Sequence, residues 1–328
     1  MLTTTTQISS AVSEYYNRLL LERALPDLVY ELFGQVRPLP QGNSMIAKFR
    51  RYEALGTSIS PLTQGVPPGS SNPTKSDITA TVLQYGAWIE YADIVDLSNP
   101  DPTLTEFQEL QGEQSAQSID IIRRDVLKAG TGVTYANGSA RADVNSIISL
   151  ATLRSVRRTL RNNNASWIRD ILSPSQNVDT QPIPMSYACV ISPDVSYDVR
   201  NLTGFVGVEE YGTRQVIHES EIGAIPSIQM RFLETTQAPK VAGGGAGGSG
   251  IKTTSSAADV YLCMVFARNA YGVIPLRGAA MSSILKARGS GGTSDPLDQI
   301  GTIGWKAITT TAILNDNFMH RIEVAASS

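Results

Sequence analysis

His218 and His320 are the only histidines in the 328 residues, so metal binding or proton transfer through imidazole has little to draw on. His218 is followed by Glu219, but Ile222 stands where a helical zinc site would need its second histidine. Glu209 with Glu210, and Glu219 with Glu221, have the side chains of a glycoside-hydrolysing pair. Carboxylates this close along a chain are nevertheless an ordinary solvated edge. The run Gly243-Gly244-Gly245-Ala246-Gly247-Gly248-Ser249-Gly250 invites a phosphate-loop reading. That reading needs a strand before the run, a helix after it and an acidic residue beyond, and the polar stretch 251–258 follows instead, so the run reads as a flexible surface loop. Neither a Gly-x-Ser-x-Gly elbow nor a Cys-x-x-Cys pair occurs. Cys189 and Cys263 lie in apolar, strand-like runs and read as small buried hydrophobes, not as a disulfide framework. No catalytic, cofactor-binding or metal-binding residue is assigned, and the expectation is a protein that is not an enzyme.

With 27 basic and 30 acidic side chains the formal charge is −3, so no strong overall field draws the chain to nucleic acid or to an anionic membrane. A local patch is the remaining route. Arg154, Arg157, Arg158 and Arg161 share one side of a predicted helix, where they face phosphate, face a neighbour's carboxylates, or form a solvated face; four arginines are few for a nucleic-acid groove, which favours the last. The longest wholly apolar run, 260–267, is too short to span a bilayer, and residues 1–6 lack a basic region backed by an apolar run. The expectation is a soluble, intracellular product with no membrane partner.

The element the other segments organise around is a long helix over 103–129, with Thr103 and Glu106 at capping-box spacing, basic residues in its last turns and Gly130 placed to stop it. Its middle, 111–118, is polar all round and holds Gly112. Either the helix breaks there or, the favoured reading, the middle is exposed and leans on neighbouring chains. Upstream, 8–25 reads as an amphipathic helix and Pro26 opens a second that Gly34 ends. This arm is too small to bury its own apolar side chains. Strands are expected at 45–52 and 78–94, joined by a Gly-, Pro- and Ser-rich tip, as an extended hairpin that needs a partner or else folds back on its own domain. A second helix is expected over 144–162. Beyond it come a strand at 187–191, a helix capped by Ser192 and opened by Pro193, strands at 228–233 and 259–266, and a strand pair around Asn315-Asp316-Asn317.

Seven stretches, each weak alone, occur in an order that resembles the major capsid proteins of tailed phages. They are Pro61-Leu62-Thr63-Gln64-Gly65-Val66-Pro67-Pro68, Gln84-Tyr85-Gly86, Ile191-Ser192-Pro193-Asp194-Val195, Glu221-Ile222-Gly223, Ala270-Tyr271-Gly272, Asp295-Pro296-Leu297 and Gly301-Thr302-Ile303-Gly304-Trp305-Lys306. The likeness is sharpest to the podovirus branch with large virion-packaged polymerases and its prophage relatives, with Gln64 standing where an acid is common and Ser192 where histidine is frequent.

The resemblance implies the α+β fold of tailed-phage and herpesvirus major capsid proteins. Its parts are an N-terminal arm (1–44), an extended loop (45–94), a peripheral domain with a spine helix (95–181 and 287–328) and an axial domain (182–286). It implies pentamers and hexamers of the chain on an icosahedral shell around double-stranded DNA bound without sequence specificity. Scaffolding, portal and decoration proteins are the further partners it suggests, with assembly in the host bacterial cytoplasm and the virion as destination. Pro61, Leu62, Gln64 and Lys75 are the candidate intersubunit contacts. The rival readings are a cellular nanocompartment shell of similar fold and a nucleotide-binding soluble enzyme using the glycine-rich run.

Overall fold

The structure, a computed structural model, describes residues 29–42, 44–53, 55–62, 64–66, 69–93, 103–168, 185–211, 216–286, 296–297 and 299–328. The expected helix over 8–25 and the start of the second at Pro26 lie outside them. Residues 29–34 are turns rather than helix, and Gly34 closes against Tyr271 and Val273, which a β-carbon there would strike at 2.7 Å.

In chain order the elements are β1 (Gln35–Val36), β2 (Ile46–Tyr52), β3 (Lys75–Thr81), β4 (Leu83–Ala92), α1 (Thr103–Leu127), β5 (Val133–Tyr135), α2 (Leu150–Asn162), β6 (Tyr187–Ile191), α3 (Pro193–Arg200), β7 (Val206–Gly207), β8 (Glu221–Ile225), β9 (Met230–Glu234), β10 (Lys240–Val241), β11 (Thr253–Thr254), β12 (Ala257–Ala258), β13 (Val260–Phe266), β14 (Tyr271–Pro275), β15 (Met281–Lys286), β16 (Ile300–Ile313) and β17 (Met319–Val324). Local chemistry accounts for several of these boundaries. Ser149 Oγ accepts from Thr152 N at 3.2 Å and starts α2. That start is later than the expected 144, because 144–149 is engaged elsewhere: Val144 O accepts from Ala246 N, and Ile147 bridges Ala325. Ser192 Oγ accepts from Asp194 N, and Pro193 fits the first turn of α3 because its missing N–H has no helical partner there.

Two sheets carry the fold. In the first, β16 is central: β4 runs antiparallel along one edge from Ile300↔Ala92 to Thr309↔Leu83, while β15 and then β14 share the other. β1 adds to β14 in parallel. With both edges of β16 taken, β17 has no place beside it. The expected strand pair around 315–317 is therefore not formed, and β17 pairs with β13 and β5 in the second sheet, whose order is β5-β17-β13-β6-β9-β8-β7 with β10 against β13. A short 3-10 turn at Asp316–Phe318 carries the chain between the sheets.

All seven residues of β13 are buried because both faces of its sheet are covered. Tyr261, Cys263 and Val265 meet Leu153, Val156 and Leu160 of α2 and Val195 and Val199 of α3. Met264 and Phe266 meet Leu127 of α1 together with Val29, Tyr30 and Phe33.

α1 runs unbroken through Gly112, and its polar middle does not wait for a neighbouring chain. Gln108, Gln111, Ser115 and Asp120 are buried, and Gln111 Nε2 donates to Ile303 O at 2.6 Å. Trp305 Nε1 donates to Gln114 Oε1, while Ile119 packs on Trp305 and Ala307. Polar groups bury here because they find partners: Gln108 and Gln111 on the sheet, Ser115 at Gly112 O of its own helix, and Asp120 at the Tyr30 amide.

β2 and β3 form a two-stranded ribbon in register from Ile46↔Thr81 to Tyr52↔Lys75. Alternation sends Ala47, Phe49, Ile78 and Ala80 to one face, which packs on Ile274, Ile308 and Ala312 of the first sheet. Val82, buried and donating to Met45 O, is the joint after which β4 leaves the ribbon for β16. Of the hairpin expected over 45–94, the ribbon is thus packed on its own chain, and the exposed part is the loop beyond Tyr52 and Lys75.

Gly86 lies opposite Lys306, where a β-carbon would sit 2.6 Å from the Trp305 carbonyl oxygen, a backbone atom that cannot swing away. Gly86→Ala is expected to force β4 from β16 and to cost about 1–3 kcal/mol. A denaturant midpoint unchanged from the parent chain would contradict this close approach.

Candidate assembly surfaces

Residues 53–74 lead out from the ribbon and back. Between Glu53 and Lys75 there is no charged side chain, yet Ile59 is 90% exposed and Leu62 74%, with Leu55 and Val66 also in solvent. Pro61, Leu62 and Gln64 are all exposed here; Thr63, Pro67 and Pro68 are outside the described residues. Lys75 stands at the root of the loop, opposite Tyr52, with its ammonium 3.6 Å from Asp77. An uncharged loop with several large apolar side chains in water is a surface built for contact.

A second surface was not legible in the sequence. On the face of the first sheet away from α1, Trp88 of β4 and Ile284 of β15 flank Gly304 of β16 in one cross-strand row. Trp88 is 62% exposed, and glycines at 86 and 304 leave a groove of about 560 Å³ with Gln84, Lys286 and Lys306 at its rim. Glycines inside strand-like runs and a tryptophan on the solvent phase were the available signals.

Of the arginines on α2, Arg154, Arg158 and Arg161 are exposed, while Arg157 is half-buried and donates from Nη2 to Gln229 Oε1 at 2.9 Å. Arg161 lies over the Trp167 ring, 4.1 Å from its centroid.

The groups singled out for chemistry are dispersed. Glu209 and Glu210 are exposed on a short 3-10 turn. Glu219 is exposed, whereas Glu221 is buried against Arg231, so the two do not face each other across a cleft. Glu221 accepts from Tyr211 Oη at 2.7 Å, from Ile217 N at 2.6 Å and with both oxygens from Arg231 Nη1 at 3.1 Å. The partners tie Tyr211 and Ile217 to β8 and β9.

The glycine-rich run is followed by the β11–β12 hairpin, not by a helix. It is also not free along its length. Gly245 N donates to Ala258 O and Ala246 N to Val144 O, and a β-carbon at 245 would lie 2.1 Å from Val144 O. Close backbone approach is the reason for glycine there.

Both cysteines are buried free thiols; burial pushes Cys263 up to about 12 and raises Cys189 as well, which leaves little thiolate for chemistry. Among the described residues no group of three His, Cys, Asp or Glu side chains is placed to hold a metal ion. No helix among them is long and apolar enough to cross a membrane.

His320 sits on β17 with Nε2 2.7 Å from Thr134 Oγ1. Burial, reinforced by the neighbouring charge of Arg321, holds the imidazole below its ordinary 6.5, with Asp316 acting weakly the other way. The unfolded chain therefore binds this proton at higher pH than the folded one. The stability associated with neutral His320 is complete above 6.5 and is lost as pH falls through the window below it. His320→Gln should flatten that part of the stability–pH curve; an unaltered slope just below 6.5 would show that another group is responsible.

No protein-family model matches the sequence, and no curated protein sequence is similar to it. Solved structures are. The capsid of Ralstonia phage GP4 is 13% identical with a TM-score of 0.66, over 90% of this chain and 88% of that one. The capsid of cyanophage P-SCSP1u is 15% identical with a TM-score of 0.60, over 92% and 89%. An encapsulin from Synechococcus elongatus, solved as the holo-SrpI complex, is 10% identical with a TM-score of 0.53, over 92% and 88%. The long α1 laid on the β4–β16 sheet, the β2–β3 ribbon with its exposed loop and the second sheet under α2 and α3 are thus the fold of tailed-phage capsid subunits, matched over about nine tenths of the chain.

Proposed function

We propose that this chain is the major capsid protein of a tailed bacteriophage, a structural subunit and not an enzyme. The observation that carries the reading is a capsid-subunit fold matched over about nine tenths of both chains, combined with an uncharged loop beyond the β2–β3 ribbon whose described apolar side chains, Leu55, Ile59, Leu62 and Val66, are exposed. Copies close into pentamers and hexamers by head-to-tail contacts and tile an icosahedral shell around double-stranded DNA, held without sequence specificity. The tip, with Pro61, Leu62 and Gln64, supplies an intersubunit contact, and Lys75 fixes its root. The arginines of α2 form a solvated face, since Arg154, Arg158 and Arg161 are exposed and Arg157 is held within the chain by Gln229.

The domain reading is an arm over 1–44, an extended loop over 45–94, a peripheral domain over 95–181 and 287–328, and an axial domain over 182–286. β14, β15 and β17 each share a sheet with strands from the other side of these boundaries, so peripheral and axial parts are welded by common cores. The finer proposals are the podovirus branch, assembly in the host cytoplasm and service by scaffolding, portal and decoration proteins.

One observation favours a second reading. The encapsulin match covers as much of the chain as the phage matches, though at a lower TM-score, so a nanocompartment shell has the same structural basis. The contents of purified particles separate the two: packaged double-stranded DNA supports the phage head, and an enclosed enzyme without DNA supports the compartment.

A further inference from the structure

We infer that Asn137 is a site of spontaneous backbone-assisted deamidation, a charge-adding modification that loosens the corner between β5 and α2. Asn137-Gly138 is the one Asn-Gly pair in the chain. Both residues are exposed, and Gly138 has a φ of +69°. Its amide nitrogen has no acceptor among the described residues, so the nucleophile of the reaction is not tied up in a hydrogen bond. Glycine also carries no side chain to shield that nitrogen, and none would fit: a β-carbon at 138 would lie 2.2 Å from Asp143 Cβ.

The chemistry needs only water. The Gly138 amide nitrogen, losing its proton to solvent base, forms a bond to Asn137 Cγ; the Cγ–Nδ2 bond breaks and ammonia leaves with a proton. Water then opens the cyclic imide at either carbonyl, giving aspartate or an isoaspartyl linkage. Either product adds one negative charge.

Position decides what that charge does. Asn137 Nδ2 now donates to Asn145 Oδ1 at 2.9 Å. A carboxylate there has no proton to give, so two acceptors face one another, close to Asp143, whose Oδ2 accepts from Ser139 N and Ala140 N. The same corner carries Arg141, bidentate on the buried Glu323, and Val144, whose carbonyl anchors the glycine-rich run. Loosening it reaches β17 and the 245–246 anchor together.

The test is an incubation of the full chain at mildly alkaline pH, native and in denaturant, followed by peptide mass spectrometry at each asparagine. The native chain should convert Asn137 to a mixture of aspartyl and isoaspartyl products at a rate within an order of magnitude of the denatured chain, while Asn145 and Asn163 stay intact. Retention of Asn137 in the native chain alongside conversion in denaturant would show that the fold blocks the attack and would overturn the site. Asn137→Asp should speed hydrogen exchange at Ser139 and Ala140 relative to Asn137→Ser; equal exchange in the two variants would overturn the loosening.

Discussion

Replacing residues 56–73 with a short Gly-Ser linker is expected to leave a folded subunit that no longer forms shells. The register of the ribbon ends at Tyr52↔Lys75, inside the retained segment, and its packed face, with Phe49 and Ile78, is untouched. Loop length itself changes stability slowly, by about 0.6 kcal/mol per doubling, so the unfolding midpoint should barely move. What is lost is the burial of side chains such as Ile59 and Leu62 against a neighbour, each worth about 1.5–3 kcal/mol when fully covered. In a closed shell every subunit loses it at once. Ile59→Asp and Leu62→Asp test the same contact without shortening the chain, and each should reduce particle yield severely at unchanged stability. Normal particles from all three variants would remove the tip from the assembly account.

Arg231→Ala has the largest expected effect on stability. Arg231 and Glu221 are almost wholly buried, with side-chain exposures of 2% and 0%. Removing the guanidinium leaves a buried carboxylate with, among the described residues, the Tyr211 hydroxyl and the Ile217 amide to satisfy it. Breaking such a pair from one side costs about 3–5 kcal/mol, because the remaining charge keeps its desolvation penalty without its partner. The paired variant Glu221→Gln with Arg231→Met should recover much of the loss. Chemical denaturation of the single and paired variants measures both; a loss below about 1 kcal/mol for the single variant would place this pair among solvent-screened ones.

The parts of the molecule legible in its sequence are those specified locally. Ser192 and Pro193 announce the start of α3 within two residues, and the uniform apolar run of β13 declares a strand covered on both faces. The length and ends of α1 were legible for the same reason. Its polar middle was misread because the partner of Gln111 is a carbonyl 192 residues later, and nothing near Gln111 says that a sheet will lie there. The pairing of β16 failed similarly. A turn-like Asn315-Asp316-Asn317 between two strand patterns favours a hairpin, and only the occupation of both β16 edges by β4, β14 and β15 rules it out. On the surface, the uncharged tip could be read from composition. The Trp88 groove could not, since it exists only when β4, far away in the chain, brings Trp88 against Gly304 on the edge opposite Ile284.

The glycine-rich run shows the limit from the other side. Composition suggested freedom along its whole length, whereas Gly245 is selected for contact with Val144 and Ala258. A deletion of 247–250 should therefore be tolerated better than one that includes 245, because the exposed half makes fewer backbone contacts with the body of the subunit.

The central claim is that this chain builds a closed shell. Electron microscopy of the purified chain, alone and then isolated from its natural particle, addresses it directly. The account predicts uniform angular particles with five- and six-fold clusters of subunits, filled with double-stranded DNA in the natural particle. A compact monomer under every condition, absent from any particle, would contradict it.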